Sequence, residues 1–292
     1  MTRSVFHVFA LFLGMLVFSQ LLAQRTALFA PIGPAGAAEA RIEDLEQALL
    51  LPDLLSAMQD EGRAYGQTLD QQFLGGTGGP SWQAEVALIY DPGRLMPLAD
   101  AVLRQELAGR PAELAAMIGF FRTDLGRRIV ALELSARRAL LDDAIEEAAH
   151  AALDRMEADG GPRIGLLRDY VAENDLVDLN VVSTLNASVA FLRALSLALG
   201  AGDGMPETEI LSQVRAQEQE VRRDTELWLM TFASLAYAPL TDKEFRAYAE
   251  FSRTKAGVAL NGALFAAFDT VFSQVSSDLG RAVGRWIGGT NL

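Results

Sequence analysis

Two arginines at matching places in the chain, Arg122 and Arg253, are the side chains best placed for binding chemistry. Each lies in a repeated motif, F-x-R-T-x-[L/A]-G, which occurs at Phe120–Gly126 and at Phe251–Gly257. Both copies fall between apolar segments with helical spacing, so the arginines would stand beside helix N-termini, where anions bind well. The alternative is a structural role, in which each guanidinium holds a carboxylate or carbonyl of a neighbouring helix. The residue types favour the structural role and leave ligand binding open.

Residue types that carry most catalysis are scarce in this chain of 292 residues. There is no cysteine, which excludes disulfides, thiolate nucleophiles and cysteine-ligated metal sites. Histidine occurs only as His7 and His150, which excludes a multi-histidine metal site. Glu146 lies four residues before His150 on a predicted helix, where a surface pair is favoured over two metal ligands. We therefore predict no catalytic residues, no metal and no cofactor.

The charge balance is acidic, with 38 Asp and Glu against 25 Lys and Arg and a net charge of −13. Because no stretch is dense in Lys or Arg, the composition argues against a nucleic-acid partner. The many carboxylates leave open a hydrolase that uses a pair of acids, although no spacing marks one pair out.

The N-terminal segment predicts export. Arg3 and the free amine precede an apolar run from Val5 to Leu22, a pattern typical of a secretory signal. Small residues around Ala37 provide a cleavage site, and Ala23 provides a competing one. The run is also long enough to span a bilayer, so residues 5–22 would anchor the protein in the inner membrane if they are not cleaved. We expect a periplasmic protein, since that compartment permits disulfides but does not require them.

The rest of the chain predicts an all-α fold, because apolar positions recur every three or four residues and no stretch alternates as a strand would. One long helix is expected to run from Leu125 to the glycines at 160 and 161, with Glu133 and Arg137 on its solvated outer face. The other main helices are predicted at Trp82–Tyr90, Leu95–Leu107, Ile164–Glu173, Leu176–Leu199, Glu207–Arg223, Asp224–Ala238, Thr241–Phe251 and Lys255–Ile287.

Apolar residues on the last helix are predicted to form core. The positions that set the helical period are Leu260, Leu264, Phe268, Val271, Val275, Leu279 and Val283. The aromatic residues of this helix also admit a ligand groove or partner-binding stripe as the alternative. They are Phe265, Phe268, Phe272 and Trp286.

The repeated motif has a structural explanation that does not need a ligand. In each copy the threonine is placed as a helix N-cap, and the glycine at the third helical position lets a neighbouring helix come close. The first phenylalanine closes the preceding helix against the core. These residues are Phe120, Thr123 and Gly126 in one copy and Phe251, Thr254 and Gly257 in the other. Thr241 and Glu244 predict a separate capping box at the start of the helix that leads into the second copy.

The run Thr241–Phe245 followed by Phe251–Gly257 resembles the bacterial domain of unknown function 2059 family (DUF2059), and Phe120–Gly126 matches the same motif. Threonine replaces the usual serine in both copies. Phe121 or Ser252 replaces the usual tyrosine, and Arg128 or Ala259 replaces the usual lysine. The resemblance implies an exported, all-helical protein without an established activity.

The two copies lie 131 residues apart, as expected for two diverged tandem lobes. We expect residues 1–37 to be a signal peptide or membrane anchor, residues 38–160 a first helical lobe and residues 161–292 a second. A groove between lobes would hold a small apolar ligand or a partner helix. The predicted function is a non-catalytic periplasmic binding or envelope-associated module, and the partner stays unknown at this point. The alternatives are a carboxylate-based hydrolase and a homo-oligomeric helical scaffold, such as a homodimer.

Overall fold

The computed structural model describes residues 41–200 and 204–289, which form helices and no strand. The all-α prediction is confirmed for this part of the chain. The predicted signal or anchor, its two cleavage sites and His7 lie outside the described residues. The helices are α1 Ile42–Ala48, α2 Leu51–Leu69 with a π-helical continuation Asp70–Leu74, α3 Gly79–Ile89, α4 Pro92–Glu106, α5 Pro111–Phe121, α6 Asp124–Ala139, α7 Asp143–Asp159, α8 Pro162–Glu173, α9 Leu176–Leu199, α10 Glu207–Ala216, α11 Glu218–Ala236, α12 Asp242–Ser252 and α13 Lys255–Ile287.

The long helices α9 and α13 have the predicted limits. Every residue that set the helical period of α13 is buried, so the prediction that this stripe forms core is confirmed. Its phenylalanines are buried too, while Trp286 is half-buried and donates a hydrogen bond to Glu85 at 2.7 Å.

The helix predicted from Leu125 to residue 160 is instead two helices, α6 and α7. The side chain of Asp142 accepts hydrogen bonds from the backbone N–H groups of Ala144 and Ile145, at 2.9 and 3.3 Å, and caps α7. This cap gives the backbone an alternative to a continued helix, although the apolar spacing runs on through the break. The boundary predicted after Arg223 is also displaced and lies at Gln217, between α10 and α11.

Two runs of helices, α1–α6 and α8–α13, follow one another in the same order, with α7 between them. In each run the first two helices meet at a non-glycine residue with positive φ, Leu50 at 52° and Asp175 at 50°. The last two helices of each run meet at the F-x-R-T motif. The final helix of each run packs against the second helix of its own run and against the fourth helix of the other. The two runs are therefore interlocked through α6 and α13.

The buried apolar side chains of both runs form one continuous cluster. Helix α13 has its most extensive contact with α9 and its next with α4, whose buried face carries Leu95, Ala99 and Leu103. The close approach to α9 depends on Gly280, where a Cβ atom would lie 2.2 Å from the carbonyl oxygen of Phe191. Because α13 packs against α9 of its own run and against α4 of the other, the two runs share a core.

By length and composition alone, α9 and α13 would each be able to cross a bilayer. In α13, 67% of the apolar window is buried inside the protein, which is the environment of a core helix. In α9 the buried share is 39%, and its exposed apolar side chains include Val182 and Leu197.

Candidate functional site

Both copies of the motif fold into the same type of helix joint. The hydroxyl of Thr123 accepts a hydrogen bond from the backbone N–H of Gly126 at 3.0 Å. The hydroxyl of Thr254 accepts one from Gly257 at 3.1 Å. The predicted N-caps are therefore confirmed, and so is the capping box at the start of α12.

The motif glycines and phenylalanines bring the two joints together. A Cβ atom on Gly126 would lie 2.3 Å from the carbonyl oxygen of Phe120, and one on Gly257 would lie 2.4 Å from that of Phe251. Glycine thus lets the last turn of one helix close over the first turn of the next. The rings of Phe120 and Phe251 stack, with centroids 3.9 Å apart and an angle of 7° between planes. The two copies of the motif meet face to face.

Arg122 and Arg253 each pair with a carboxylate of a neighbouring helix. Arg122 Nη2 lies 2.6 Å from Asp44 Oδ1 in α1, and Arg253 Nε lies 2.8 Å from Glu173 Oε2 in α8. Helices α1 and α8 are the first helices of the two runs, although Asp44 lies in the first turn of α1 and Glu173 is the last residue of α8. This geometry agrees with the structural role, and a ligand-binding role for the arginines stays a prediction.

Glu133 of α6 directs its carboxylate to tyrosine hydroxyls of the second run. Tyr237 Oη and Tyr248 Oη donate to Glu133 Oε1 at 2.7 and 2.9 Å. The ring of Tyr170 in α8 packs beside both, with centroids 6.0 Å from Tyr237 and 5.5 Å from Tyr248. Although Glu133 as a whole is half-buried, burial of its carboxyl raises the pKa to about 7, against the opposing effect of the two hydrogen bonds. Glu133, Tyr170, Tyr237 and Tyr248 are together called the tyrosine cluster.

The same helix carries a second interior polar group, Arg137, which is 6% exposed and pairs with Glu61 of α2. Burial raises the pKa of Glu61, and the positive charge of Arg137 opposes that rise. The prediction that Glu133 and Arg137 lie on a solvated face is therefore wrong. Helix α6 packs against α2 and against α11. The side chains of Glu133 and Arg137 therefore face other helices.

The corner between α11 and α12 is held by arginines from outside it. Arg128 Nη2 of α6 donates to the carbonyl oxygen of Pro239 at 2.5 Å. Arg163 Nη2 of α8 donates to the carbonyl oxygen of Tyr237, also at 2.5 Å. Together with the tyrosine cluster, these bonds fix α6 and α8 to the same corner. The cluster is thus part of a structural junction between the two runs.

Glu46 of α1 and Asp100 of α4 form an acid pair. Burial, together with the hydrogen bond and negative charge of Asp100, raises the pKa of Glu46 to about 7. Asp100 accepts a hydrogen bond from Arg104 Nε at 2.8 Å, which lowers the pKa of Asp100. The pKa values of the two carboxyls are therefore shifted in opposite directions.

A groove of about 380 Å³ opens between α7 and helices α8, α9 and α11. Its apolar lining includes Leu153 of α7, Val171 of α8 and Met230 of α11. Leu227 of α11 also lines it and is 49% exposed. The groove predicted between two lobes stays a prediction. The groove presents apolar surface to solvent.

The charged side chains that line this groove are mainly acidic. Asp154, Glu157 and Glu226 contribute carboxylates, and Arg168 contributes a guanidinium. Arg168 Nη2 lies 2.6 Å from Glu157 Oε1, so one of these carboxylates is already paired with a positive charge. The excess negative charge lies around the apolar surface, and the site is called the acidic groove.

Within residues 41–200 and 204–289, no group of three His, Cys, Asp or Glu side chains is arranged to hold a metal ion. Glu146 and His150 are half-buried on α7, the helix that borders the acidic groove.

Comparison with known proteins gives one result for part of the chain. No curated protein and no solved structure matches the sequence. The family resemblance is confirmed for the copy of the motif at Phe120–Gly126, and it stays a prediction for the copy at Phe251–Gly257. Residues 93–155, from α4 through most of α7, match the family described as "Uncharacterized protein conserved in bacteria (DUF2059)".

Proposed function

We propose that this protein is an exported, non-catalytic binding module of the bacterial envelope, and that the acidic groove receives a cationic amphipathic segment of a partner protein. The observation that carries the proposal is the groove itself, which combines an apolar lining, including the exposed side chain of Leu227, with an excess of carboxylates. An amphipathic helix would place its apolar face on Leu227 and Met230, in the helix-in-groove mode of recognition. The flexible thioether of Met230 suits partners of different shape.

Charge complementarity supports a basic partner over an acidic one. Helix α7 has the sequence DAIEEAAHAALDRMEAD, in which acidic residues far outnumber the single arginine, and Ala149 and Leu153 are its buried residues. The whole chain carries −13. The negative electrostatic field of the chain attracts positively charged segments and speeds their encounter with the groove.

The proposal is tested by titrating the full-length chain with a fluorescent helical peptide of leucine and lysine, about 18 residues long so that it holds a helix. We expect saturable binding, followed by fluorescence anisotropy. The double variant D154K/E226K reverses two charges of the groove and should weaken binding by about tenfold or more. Leu227→Ser should weaken it as well, because it removes exposed apolar surface from the groove.

The matched control is E106K/E209K, which makes the same charge change at two exposed positions on α4 and α10. This control should keep most of the affinity. Equal losses in D154K/E226K and E106K/E209K would mean that the peptide responds only to net charge, and the groove would be ruled out as its site. Absence of saturable binding would also overturn the proposal.

Export rests on the apolar run Val5–Leu22 after Arg3, and it is tested by fractionation of cells that carry the full-length chain. We expect the protein in the periplasm after cleavage near Ala23 or Ala37, or in the inner membrane if the run is retained. Recovery in the cytoplasm alone would contradict export. The mass of the mature protein identifies the cleavage site.

The two-lobe organisation, residues 38–160 and 161–292, forms part of the same proposal. Its support is the repeated helix order, the matching joints at Thr123 and Thr254, and the matching positive φ values of Leu50 and Asp175. These features are expected of an ancestral unit that was duplicated and then interlocked. A homodimeric scaffold, the alternative at the level of assembly, predicts a solution mass that rises with concentration.

A carboxylate-based hydrolase is the second candidate, and the acid pair of Glu46 and Asp100 is the observation that favours it. Two neighbouring carboxyls whose pKa values are shifted apart can act as the acid and the base of one reaction. The test is hydrolysis of model ester and glycoside substrates by the wild type and by E46Q/D100N. A turnover that the double variant abolishes while it stays folded would favour the enzyme over the binding module.

A further inference from the structure

A second groove, of about 330 Å³, runs along the contact between α9 and α13. On the α9 side it is lined by Ala190, Ala194 and Ala198, and by Leu197, which is 77% exposed. Small side chains in this region let the two helices approach closely. At Gly284 of α13, a Cβ atom would lie 2.4 Å from the Cβ of Ala198. The close crossing leaves a trough with an apolar wall at its side.

The charged lining of this trough is positive. Arg193 of α9 and Arg281 and Arg285 of α13 line it, and among residues 41–200 and 204–289 no carboxylate does so. In a chain that carries −13 overall, this is a local reversal of charge. The trough is called the arginine groove, and its charge is opposite to that of the acidic groove.

The three arginines already have carboxylate partners, but those partners do not line the groove. Arg193 Nε donates to Glu207 Oε2 at 3.1 Å, and Arg285 pairs with Glu85. All three arginine side chains are about half exposed. Exposed ion pairs of this kind contribute only about 0–1 kcal/mol, so a ligand anion would compete with them at little cost. A guanidinium also carries five N–H donors and is able to serve two acceptors.

We infer that the arginine groove binds a single-chain anionic amphiphile of the fatty-acid class. The carboxylate would pair with Arg281 and Arg285, which lie one helical turn apart on the same face of α13. The aliphatic chain would lie on the alanines of α9 and cover Leu197. The volume of about 330 Å³ is in the lower range for ligand pockets, which suits one chain better than two. This inference is independent of the acidic groove.

Calorimetric titration of the full-length chain with octanoate tests the inference, with 1-octanol as the uncharged probe of equal chain length and inorganic phosphate as an anion without an aliphatic chain. We expect saturable binding of octanoate and tighter binding of decanoate, since each added methylene buries more apolar surface. Octanol and phosphate should each bind at least about tenfold more weakly than octanoate. Leu197→Ser, at an exposed position, should weaken octanoate binding without threatening the fold.

The charge requirement is tested by R281Q/R285Q, which should weaken octanoate binding by about tenfold or more. The matched control is Arg222→Gln on α11, which removes an arginine whose partner is Asp178. This variant should bind octanoate as the wild type does. Octanol binding as tight as octanoate would reduce the site to an apolar trough, and phosphate binding as tight would reduce it to an anion site. Either result, or unchanged binding in R281Q/R285Q, would overturn the inference.

A membrane surface would present the same chemistry from another source, and vesicles distinguish it. Binding to phosphatidylglycerol vesicles without binding to octanoate would also overturn the inference. Loss of octanoate binding in R281Q/R285Q with intact peptide binding would show that the two grooves act separately. The two proposals therefore fail or succeed on different measurements.

Discussion

Glu133 makes the stability of this protein sensitive to protons, because its carboxyl titrates differently in the folded and unfolded chain. The ordinary pKa of a glutamate side chain is 4.5, and burial raises the pKa of Glu133 to about 7 in the folded protein. Between these values the folded state binds more protons, so the free energy of unfolding falls as pH rises from about 4.5 to about 7. Glu46, with a pKa raised to about 7, acts in the same direction. Asp44 acts in the opposite direction at lower pH, because the hydrogen bond from Arg122 lowers its pKa.

Glu133→Gln should therefore flatten the pH dependence of stability between about pH 5 and about pH 8. The amide still accepts a hydrogen bond from a tyrosine hydroxyl but does not titrate. The slope of unfolding free energy against pH should decrease by at most about 1.4 kcal/mol per pH unit, the contribution of one proton. Urea denaturation across this range measures it, with the exposed Glu106→Gln as control. An unchanged slope in the variant would show that Glu133 does not hold the extra proton.

No local pattern predicts this residue environment, because its partners are distant in sequence. Tyr237 and Tyr248 follow Glu133 by 104 and 115 residues. The sequence of α6 nevertheless carries one indication that this face is buried. Val130 and Leu134 are apolar positions outside the main stripe, and a helix with apolar residues on two sides is expected to be covered on both.

The helix joints lie at the scale of elements, and they were predicted well because their determinants are local. A threonine, a glycine three residues later and a preceding phenylalanine define the geometry within a few residues of sequence. The break between α6 and α7 is equally local, and Asp142 marks it. It was missed because apolar residues continue at helical spacing on both sides of the cap, so the periodic pattern outweighed the capping residue.

At these joints the glycines should matter more than the threonines. Thr254→Ala should cost about 1 kcal/mol, the usual contribution of an N-cap. Gly257→Ala should cost about 1–3 kcal/mol or more, because the added Cβ would lie 2.4 Å from a backbone oxygen that has little freedom to move. Thermal and urea denaturation measure both effects, and Gly126→Ala should repeat the second.

The control is Gly119→Ala on α5, where no heavy atom outside the chain neighbours lies within 4 Å of the added Cβ. This helical glycine is exposed, so alanine should raise stability by about 0.5–1 kcal/mol. A Gly257→Ala protein as stable as the Gly119→Ala protein would contradict the close-approach explanation.

At the scale of the whole molecule, the stacked rings of Phe120 and Phe251 connect the two runs of helices. Aromatic pairs of this kind contribute about 0.5–1.5 kcal/mol beyond the area that they bury. The pairing was not predictable from either copy of the motif alone, because a motif that occurs twice does not reveal how its two occurrences pack. The interlocking of α6 and α13 was hidden for the same reason.

A double-mutant cycle with Phe120→Leu and Phe251→Leu measures this connection. We expect the double variant to lose less stability than the sum of the single variants, with a coupling of about 0.5–1.5 kcal/mol. The pair of Phe120→Leu with Leu88→Ala, an exposed site on α3, serves as the uncoupled control. Additive effects of the two phenylalanine substitutions would indicate that the rings do not support one another.

The packing of α13 against α4 of the other run has a consequence for how the chain folds while it is made. Helix α4 ends at Glu106, yet a large part of its apolar face is covered by a helix that begins at Lys255. During synthesis this surface of α4 stays uncovered until almost the whole remaining chain has been made. Long-range pairing of this kind slows folding. A nascent chain that cannot close its core before its last helix emerges stays loose and accessible to chaperones. That delay would suit the proposed export of this chain, since an exported polypeptide crosses the membrane before it folds.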